Sequence, residues 1–545
     1  MQEKKYFKGI SFENDTYYKA TENRYDIFLN DCTYTDNKVY FSYTFKKENL
    51  TTRPVAFLLK GLKNVTLDFG GATLVFHGRI TPFVLDHCEN VKLVNFKVDY
   101  DRPFYTQAHV LECDSKRMKI RIDDGFDYRV EDGYLYAISE TWEKKLNVND
   151  CLLWLFDRTG EKEYPVILSL FGPEIFPDEN PPLPIGQILV EEEGENLILK
   201  GDFPDSWEVN DGNNSLLLTH EVRDKCTITF VGCKNVYIEN FILIHGAALG
   251  LMGMNTENIY IDNYSMYMDY EGNGRLVTSN ADAIHFFNCK GEVVLKNSYM
   301  DGMLDDTINV HNNYFATVAT KGNMLTCKFP GAGVDVHCPN FVVGDKIAIY
   351  HGNTQELKEQ YNICKVTYDE ETLLYFFELD KALENIVQGD IIENMSGHPE
   401  ILIENCTFGR FRGTTRLQSR NKTVVRNCEF RNKDCSLLFT GDTTYWFESG
   451  PVQDFLAENC KFYHTGHSPR LNFYSGVRFT EKEKYYHKNL TVKNCWFDAG
   501  CVVNISHVDN FVFENNDSNG EMMIRAIDCN NMRVDKNVCM LEDIL

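Results

Sequence analysis

Short runs in which apolar and polar residues alternate recur along most of the chain, as in "NVYIENF" at 235–241, "NIYIDNY" at 258–264 and "NLTVKNCWF" at 489–497. A period of two predicts strands with one buried face. The runs end in polar turns that carry an asparagine: Asn95, Asn240, Asn263, Asn297, Asn405, Asn427, Asn459, Asn494, Asn515 and Asn537. Several of these stand 21 to 23 residues apart (240 to 263, 405 to 427, 494 to 515, 515 to 537), and longer intervals mark inserted loops. A unit this short cannot bury its own apolar side chains and must stack on the next one. Parallel strands about 4.8 Å apart then place equivalent asparagines in register, where they can form a hydrogen-bonded ladder. The unit is too short for an armadillo or tetratricopeptide repeat and lacks the fixed leucines of a leucine-rich repeat. The pattern therefore predicts an all-β fold, a right-handed parallel β-helix.

Two stretches break the rhythm. Residues 104–215, with "AHVLECDSKRMKIRID" and "GQILVEEEGENLILKGD", read as antiparallel strands and turns, and so do residues 313–397, with "YFATVATKGNMLTCKF" and "LLYFFELDKAL". Their hairpin character predicts two β-barrel-like domains inserted into the helix; distorted coils are the alternative. The predicted organisation is an N-terminal region with the first coils (1–103), an inserted domain (104–215), central coils (216–312), a second inserted domain (313–397) and C-terminal coils (398–545).

Composition narrows the range of partners. The formal charge of -25 over 545 residues, with no sustained Lys/Arg block, argues against a nucleic-acid partner, which needs a basic surface. No stretch approaches the roughly 20 apolar residues of a membrane span. The opening "MQEKKYFKGISFENDTYY" lacks the apolar segment of a signal peptide. The 18 cysteines form no CxxC pair, and Cys406, Cys428, Cys460 and Cys495 recur at one place in successive units, which reads as a stack of reduced, buried thiols. These features favour a cytoplasmic setting, with an exported form whose signal was removed as the alternative. A homodimer through an inserted domain stays open.

The chemistry concentrates in "NADAIHFFNCKGEVVLKNSYMDGMLDDTINVH", from Asn280 to His311. Asp282 lies one predicted coil before the adjacent pair Asp305 and Asp306, so stacking brings three carboxyls together. Like charges crowded in one cleft cannot all ionise, which leaves a protonated acid beside an ionised base. An inverting glycosidase needs such a pair about 6.5–9.5 Å apart, with room for water between. A calcium site or a ladder of structural turn aspartates would use the same residues. His285 and His311 flank the acidic segments, and Arg416 and Glu448 lie on later coils able to reach the same face. Trp446 suits stacking on a sugar or filling a core. Arg275 and Asn280 precede the first acidic segment. GxGxxG, P-loop and HExxH motifs are absent, which leaves nucleotide and zinc-protease chemistry without a foothold.

The segment 61–104, "GLKNVTLDFGGATLVFHGRITPFVLDHCENVKLVNFKVDYDRPF", together with "NADAIHFFNCKG" and "DGMLDDTINVH", resembles the glycoside hydrolase family 110 α-galactosidases, over roughly residues 55–540. The resemblance implies removal of terminal α-1,3-linked galactose, including that of blood group B, by inversion, with no metal and no cofactor. It implies Asp305 as the acid on the glycosidic oxygen, with Asp282 and Asp306 holding and deprotonating the water. It also implies a neutral glycan as partner, for which His285, His311, Arg416, Trp446 and Glu448 are the candidate binding residues by their position along the chain. Thr307 stands where the resemblance leads one to expect alanine, and Asn312 where glycine is expected; both bear on acceptor specificity. Competing readings are a hydrolase of another neutral α-linked sugar, a polysaccharide lyase, for which the three aspartates make a poor site, and a noncatalytic glycan-binding β-helix.

Overall fold

The computed structural model describes residues 11–41, 52–146, 152–157, 189–207, 209, 212–220, 225–331, 340–409, 413–433, 435–443, 445–464, 469–473, 485–536 and 538–542, with strand segments at 2–4 and 167–168. The alternating runs form two long parallel sheets that face each other across the core of a right-handed β-helix. One sheet stacks Lys63–His77, Glu89–Tyr100, Lys234–Leu243, Glu257–Met266, Lys290–Lys296 and Glu400–Glu404, and continues through His487–Lys493 to Asn530–Val534. The other stacks Thr81–Asp86, Ile228–Val231, Leu251–Met254, Ile284–Phe287, Ile308–Lys321 and Thr415–Leu417 in order.

Inward residues of both sheets build one continuous core. Phe96, Phe241 and Tyr264 stack with ring centroids 4.4 and 4.9 Å apart, and Phe230, Phe286, Ile308 and Val310 project from the other side. Cys406, Cys428, Cys460 and Cys495 form a buried column in this core, and every described cysteine is a free thiol.

The predicted ladder runs along one turn. Asn240 Nδ2 donates to Asn95 Oδ1 at 2.8 Å, Asn263 to Asn240 at 2.9 Å, Asn405 to Asn297 at 3.2 Å and Asn459 to Asn427 at 3.4 Å. From Asn95 to Asn515 these residues take φ values of +51° to +59°. That left-handed conformation explains the choice of residue, because asparagine tolerates it better than other side chains of its size. Asn537 lies outside the described residues. A second ladder of the same kind, through Asn64, Asn90, Asn235 and Asn258 with bonds of 2.8–2.9 Å, lines the turn before the same strands.

The insertions are spliced between neighbouring coils. Phe83 pairs directly with Ile228 and Glu292 with Glu400, so the helix is continuous across both. In the first insertion a seven-stranded antiparallel sheet and the meander Tyr128–Glu131, Tyr134–Ile138, Glu143–Leu146 share one apolar core around Val110, Leu135, Leu199 and Trp207. Val190 N–H, donating to the Gly133 carbonyl at 2.8 Å, ties the two together. In the second, Ile308–Lys321, Met324–Lys328, Leu374–Leu379, Leu357–Asp369, Lys346–Tyr350 and Ile391–Asn394 pair in sequence and close back on Ile308–Lys321, an antiparallel barrel of six strands. The strand Ile308–Lys321 thus belongs to the helix at one end and to the barrel at the other. The acidic segment lies at that junction.

Candidate active site

Asp282 and the pair Asp305–Asp306 sit in bends that enter the strands Ile284–Phe287 and Ile308–Lys321. Ile284 pairs with Ile308 and His285 with Asn309, an offset of 24 residues, so Asp282 stacks on Asp306 and Asp305 is offset by one position. This offset is one residue longer than the upper end of the 21 to 23 repeat spacing, which would have set Asp282 against Asp305. The Ala283 N–H donates to the Asp306 carbonyl at 3.0 Å, which fixes the two bends together. Because the backbone bends at Leu304–Thr307, Asp305 and Asp306 are both half-buried rather than pointing to opposite faces as in a straight strand. The Asp306 N–H donates to Asp305 Oδ1 at 3.1 Å.

Along the following strands, alternation separates the core from the outer face of the sheet. Ile284, Phe286, Ile308 and Val310 point inward. His285, Asn309 and Arg416 share one register position on three consecutive strands and point outward. Arg416 Nε lies 2.9 Å from Asp306 Oδ2, and Asn309 Nδ2 donates to Asp306 Oδ2 at 3.4 Å and to Glu448 Oε1 at 3.2 Å. His285 Nδ1 contacts Asp282 Oδ2 at 2.6 Å, and His285 and His311 touch through their Nε2 atoms at 3.0 Å. Glu448 arrives from a distant segment: the short strand Glu448–Ser449 pairs antiparallel with Asn312–Asn313, setting Glu448 Oε1 3.7 Å from His311 Nε2.

Seven of the eight site residues singled out from the sequence therefore form one connected constellation. Trp446 lies at its margin, half-buried against the outward apolar stripe that includes Met252, Met254 and Phe287, with its ring edge-on to Tyr445 at 4.7 Å. Arg275 is turned to Asp99, with Nη1 2.9 and 3.0 Å from its two carboxylate oxygens, and Asn280 donates to the Phe104 carbonyl at 2.7 Å; both fasten the acidic coil to the start of the first insertion. Asn309, which bridges two acids, escaped the sequence reading although it alternates with His311 in "TINVH" and so shares its face.

Burial drives the titration of this cluster. Asp306 is pushed well above the ordinary carboxyl value by desolvation, Arg416 opposing and the charges of Asp305, Asp282 and Glu448 adding to it. His311 is pushed down to about 4, mainly by desolvation. Burial works against ionisation of Glu448, but its interactions with His311, Arg416 and His285 outweigh it and hold its carboxyl below the usual value. The stacked carboxyls of Asp282 and Asp306 thus suit a dyad that shares one proton. A carboxyl whose folded pKa is raised stabilises the fold below its unfolded pKa, and that contribution is lost as pH rises through the folded value. Asp306→Asn, which mimics the protonated acid, should therefore melt above the wild type at pH 8, with the gap shrinking toward pH 4. Melting curves across that range check the sign.

Close approach of the backbone sets the Asp282 coil. The Gly250 N–H donates to the Asp282 carbonyl at 2.9 Å, and a β-carbon on Gly250 would lie 2.4 Å from Tyr264 Oη and 2.5 Å from the Ala283 carbonyl oxygen. Gly250→Ala should push that coil outward and lower turnover at least tenfold, since misplacement by about 1 Å costs up to about 100-fold. Steady-state rates beside an unchanged circular dichroism spectrum test this.

No family model matches the chain. It is 29% identical over 460 residues to the α-1,3-galactosidase A of Shewanella woodyi, covering 81% of this chain and 70% of that protein. It is 26% identical over 507 residues to the α-1,3-galactosidase B of Bacteroides thetaiotaomicron, covering 87% of this chain and 76% of that one. Among solved structures, a family 28 exopolygalacturonase of Yersinia enterocolitica aligns over 95% of this chain and 68% of its own, with 12% identity and a TM-score of 0.33.

Proposed function

We propose that this chain is a glycoside hydrolase acting on α-galactosides, and that it is exo-acting and inverting, releasing terminal α-1,3-linked galactose from glycans such as the blood group B antigen. The observation that carries the reading is the convergence of Asp282, Asp305 and Asp306 beside Arg416, in a chain whose relatives are named α-1,3-galactosidases.

The stacked pair Asp282 and Asp306 holds the water. The ionised member takes a proton from it as its oxygen attacks the anomeric carbon, and Asp305, offset by one residue, gives a proton to the departing glycosidic oxygen. One displacement breaks the α linkage and forms β-galactose. Arg416 and Asn309 keep Asp306 oriented through the exchange. Preference for a chain end is supported by the strand Ile308–Lys321, which runs on from the site into the barrel wall and would leave less room for a polymer on that side. The outward polar groups His285, His311 and Glu448 would read the sugar hydroxyls, with Trp446 at the margin. A pocket that hydrogen-bonds a hydroxyl rejects sugars lacking it far better than an apolar one does.

Proton NMR of the hydrolysis of an α-1,3-galactosyl disaccharide tests the proposal. The β-anomer of galactose should appear first and then mutarotate. First appearance of the α-anomer would overturn inversion. Absence of galactose from any α-galactoside would transfer the reading to another neutral α-linked sugar or to glycan binding.

A further inference from the structure

His285 and His311 meet across adjacent coils with their ring planes at 87° and their Nε2 atoms 3.0 Å apart. Each ring is aimed from its other nitrogen. His285 Nδ1 lies 2.6 Å from Asp282 Oδ2, and His311 Nδ1 lies 2.7 Å from the Asn312 carbonyl oxygen. A carboxylate and a carbonyl are acceptors, so each neutral ring carries its hydrogen on Nδ1 and presents the Nε2 lone pair to the other ring. Two lone pairs at that separation repel unless something positive lies between them. Glu448 Oε1 completes a triangle in which all three donor atoms lie within 4.8 Å of one another, and all three residues are buried.

We infer that His285, His311 and Glu448 form a binding site for a divalent transition-metal ion of the zinc class. Two imidazoles and one carboxylate suit zinc and its neighbours and disfavour calcium or magnesium, which take oxygen ligands. Bonds of about 2.0–2.1 Å in a tetrahedron place donor atoms about 3.3 Å apart, so the contacts of 3.0 and 3.7 Å need a few tenths of an ångström of adjustment, and the His285–Glu448 edge, within 4.8 Å, closes by a swing of the Glu448 carboxylate. Imidazoles held from behind by a carboxylate and a backbone carbonyl are the outer shell that fixes tautomer and direction at metal sites. The surroundings favour a cation: even with one proton shared by Asp282 and Asp306 and one on Asp305, that pair and Glu448 carry more negative charge than Arg416 offsets. Phe287, with its ring stacked on His311 at 6.1 Å, supplies an apolar wall.

The ion lies between the two facing Nε2 lone pairs and removes their repulsion. Through His285 it sets positive charge behind Asp282, which then accepts a proton from water less readily, so the ion inhibits. This last consequence rests on the function proposed above; binding itself does not.

Cobalt titration of the full chain after chelator treatment is the test. One equivalent should produce the visible absorption of a four- or five-coordinate site, and zinc should displace it in calorimetric competition. His311→Gln and Glu448→Gln, both checked by melting, should weaken binding at least 100-fold, and Asp282→Asn, which alters the partner of His285 but no ligand itself, about 10- to 100-fold. No band at one equivalent, or equal affinity in the folded variants, overturns the site. Binding without any effect of zinc on turnover overturns the inhibition. A chain that binds one equivalent but hydrolyses no α-galactoside keeps the site and overturns the proposed function.

Discussion

Asp305→Asn lowers turnover of an α-1,3-galactosyl disaccharide by about 10²–10⁴-fold, the range for loss of a general acid. Its defect depends on the leaving group. A sugar alcohol leaves as a strong base and needs a proton, whereas fluoride leaves without one. With α-galactosyl fluoride, Asp305→Asn should therefore recover most of the lost rate. Asp282→Asn should stay impaired on both substrates, because the water still lacks its base. Stacking in register unites Asp282 with Asp306 and offsets Asp305 by one residue, and the carboxyl of Asp306, raised mainly by burial with the charges of Asp305 and Asp282 adding to it, suits a shared proton. Steady-state kinetics on the two substrates decide the roles. Equal losses for Asp305→Asn on both would remove Asp305 as acid, and recovery on fluoride by Asp306→Asn instead would move the role one residue along.

How much of this was legible in the sequence depends on the length scale of each signal. The helix was readable because its determinant is local and repeated: asparagine in a left-handed turn after an alternating strand recurs along the chain, and each instance reinforces the others. The convergence of Asp282 with Asp305 and Asp306 followed from the same repeat. Its register did not, because side chains on neighbouring coils are ordered by single residues while loop insertions blur the interval by two or three. The 64–90–235–258 ladder went unread because "KNV", "ENV" and "ENI" carry no flanking residue that separates them from ordinary turns. The contact of Glu448 with His311 was out of reach for another reason: it depends on antiparallel pairing with Asn312–Asn313, after a whole barrel intervenes. Trp446 shows the limit of residue type alone, since an indole beside an acid reads the same whether it packs on an apolar stripe or on a sugar.

That barrel is held to the helix by a buried ion pair, and removing half of it should give the largest loss of stability. Glu393, on the strand Ile391–Asn394 that closes the barrel, is 0% exposed. Its Oε2 accepts from Arg420 Nε at 3.0 Å, Arg420 Nη2 at 2.5 Å and Tyr350 Oη at 2.9 Å, and His398 Nε2 lies 3.2 Å from Oε1. Burial pushes this carboxyl up, but Arg420 and His398 outweigh it and hold it well below the usual value. Arg420 belongs to the turn after Thr415–Leu417, the strand that carries Arg416, so the pair spans barrel and active-site coil. Arg420→Met keeps the packing and leaves a buried carboxylate without its guanidinium, which costs about 3–5 kcal/mol and should lower the melting temperature by several degrees. Arg420→Met with Glu393→Met should recover most of the loss, because no charge is then stranded. A carboxyl whose folded pKa is depressed stabilises above its unfolded value, so the wild type loses this contribution as pH falls below 4.5, and Glu393→Gln should flatten that decline. Activity should follow stability in Arg420→Met, since the Tyr314 N–H donates to the Phe447 carbonyl at 2.8 Å and Tyr314 pairs with Glu393, so a loosened barrel displaces Glu448 as well. Calorimetry of the three variants beside their turnover tests the coupling: loss of stability in the single variant without recovery in the double would place the cost in packing rather than in the stranded charge.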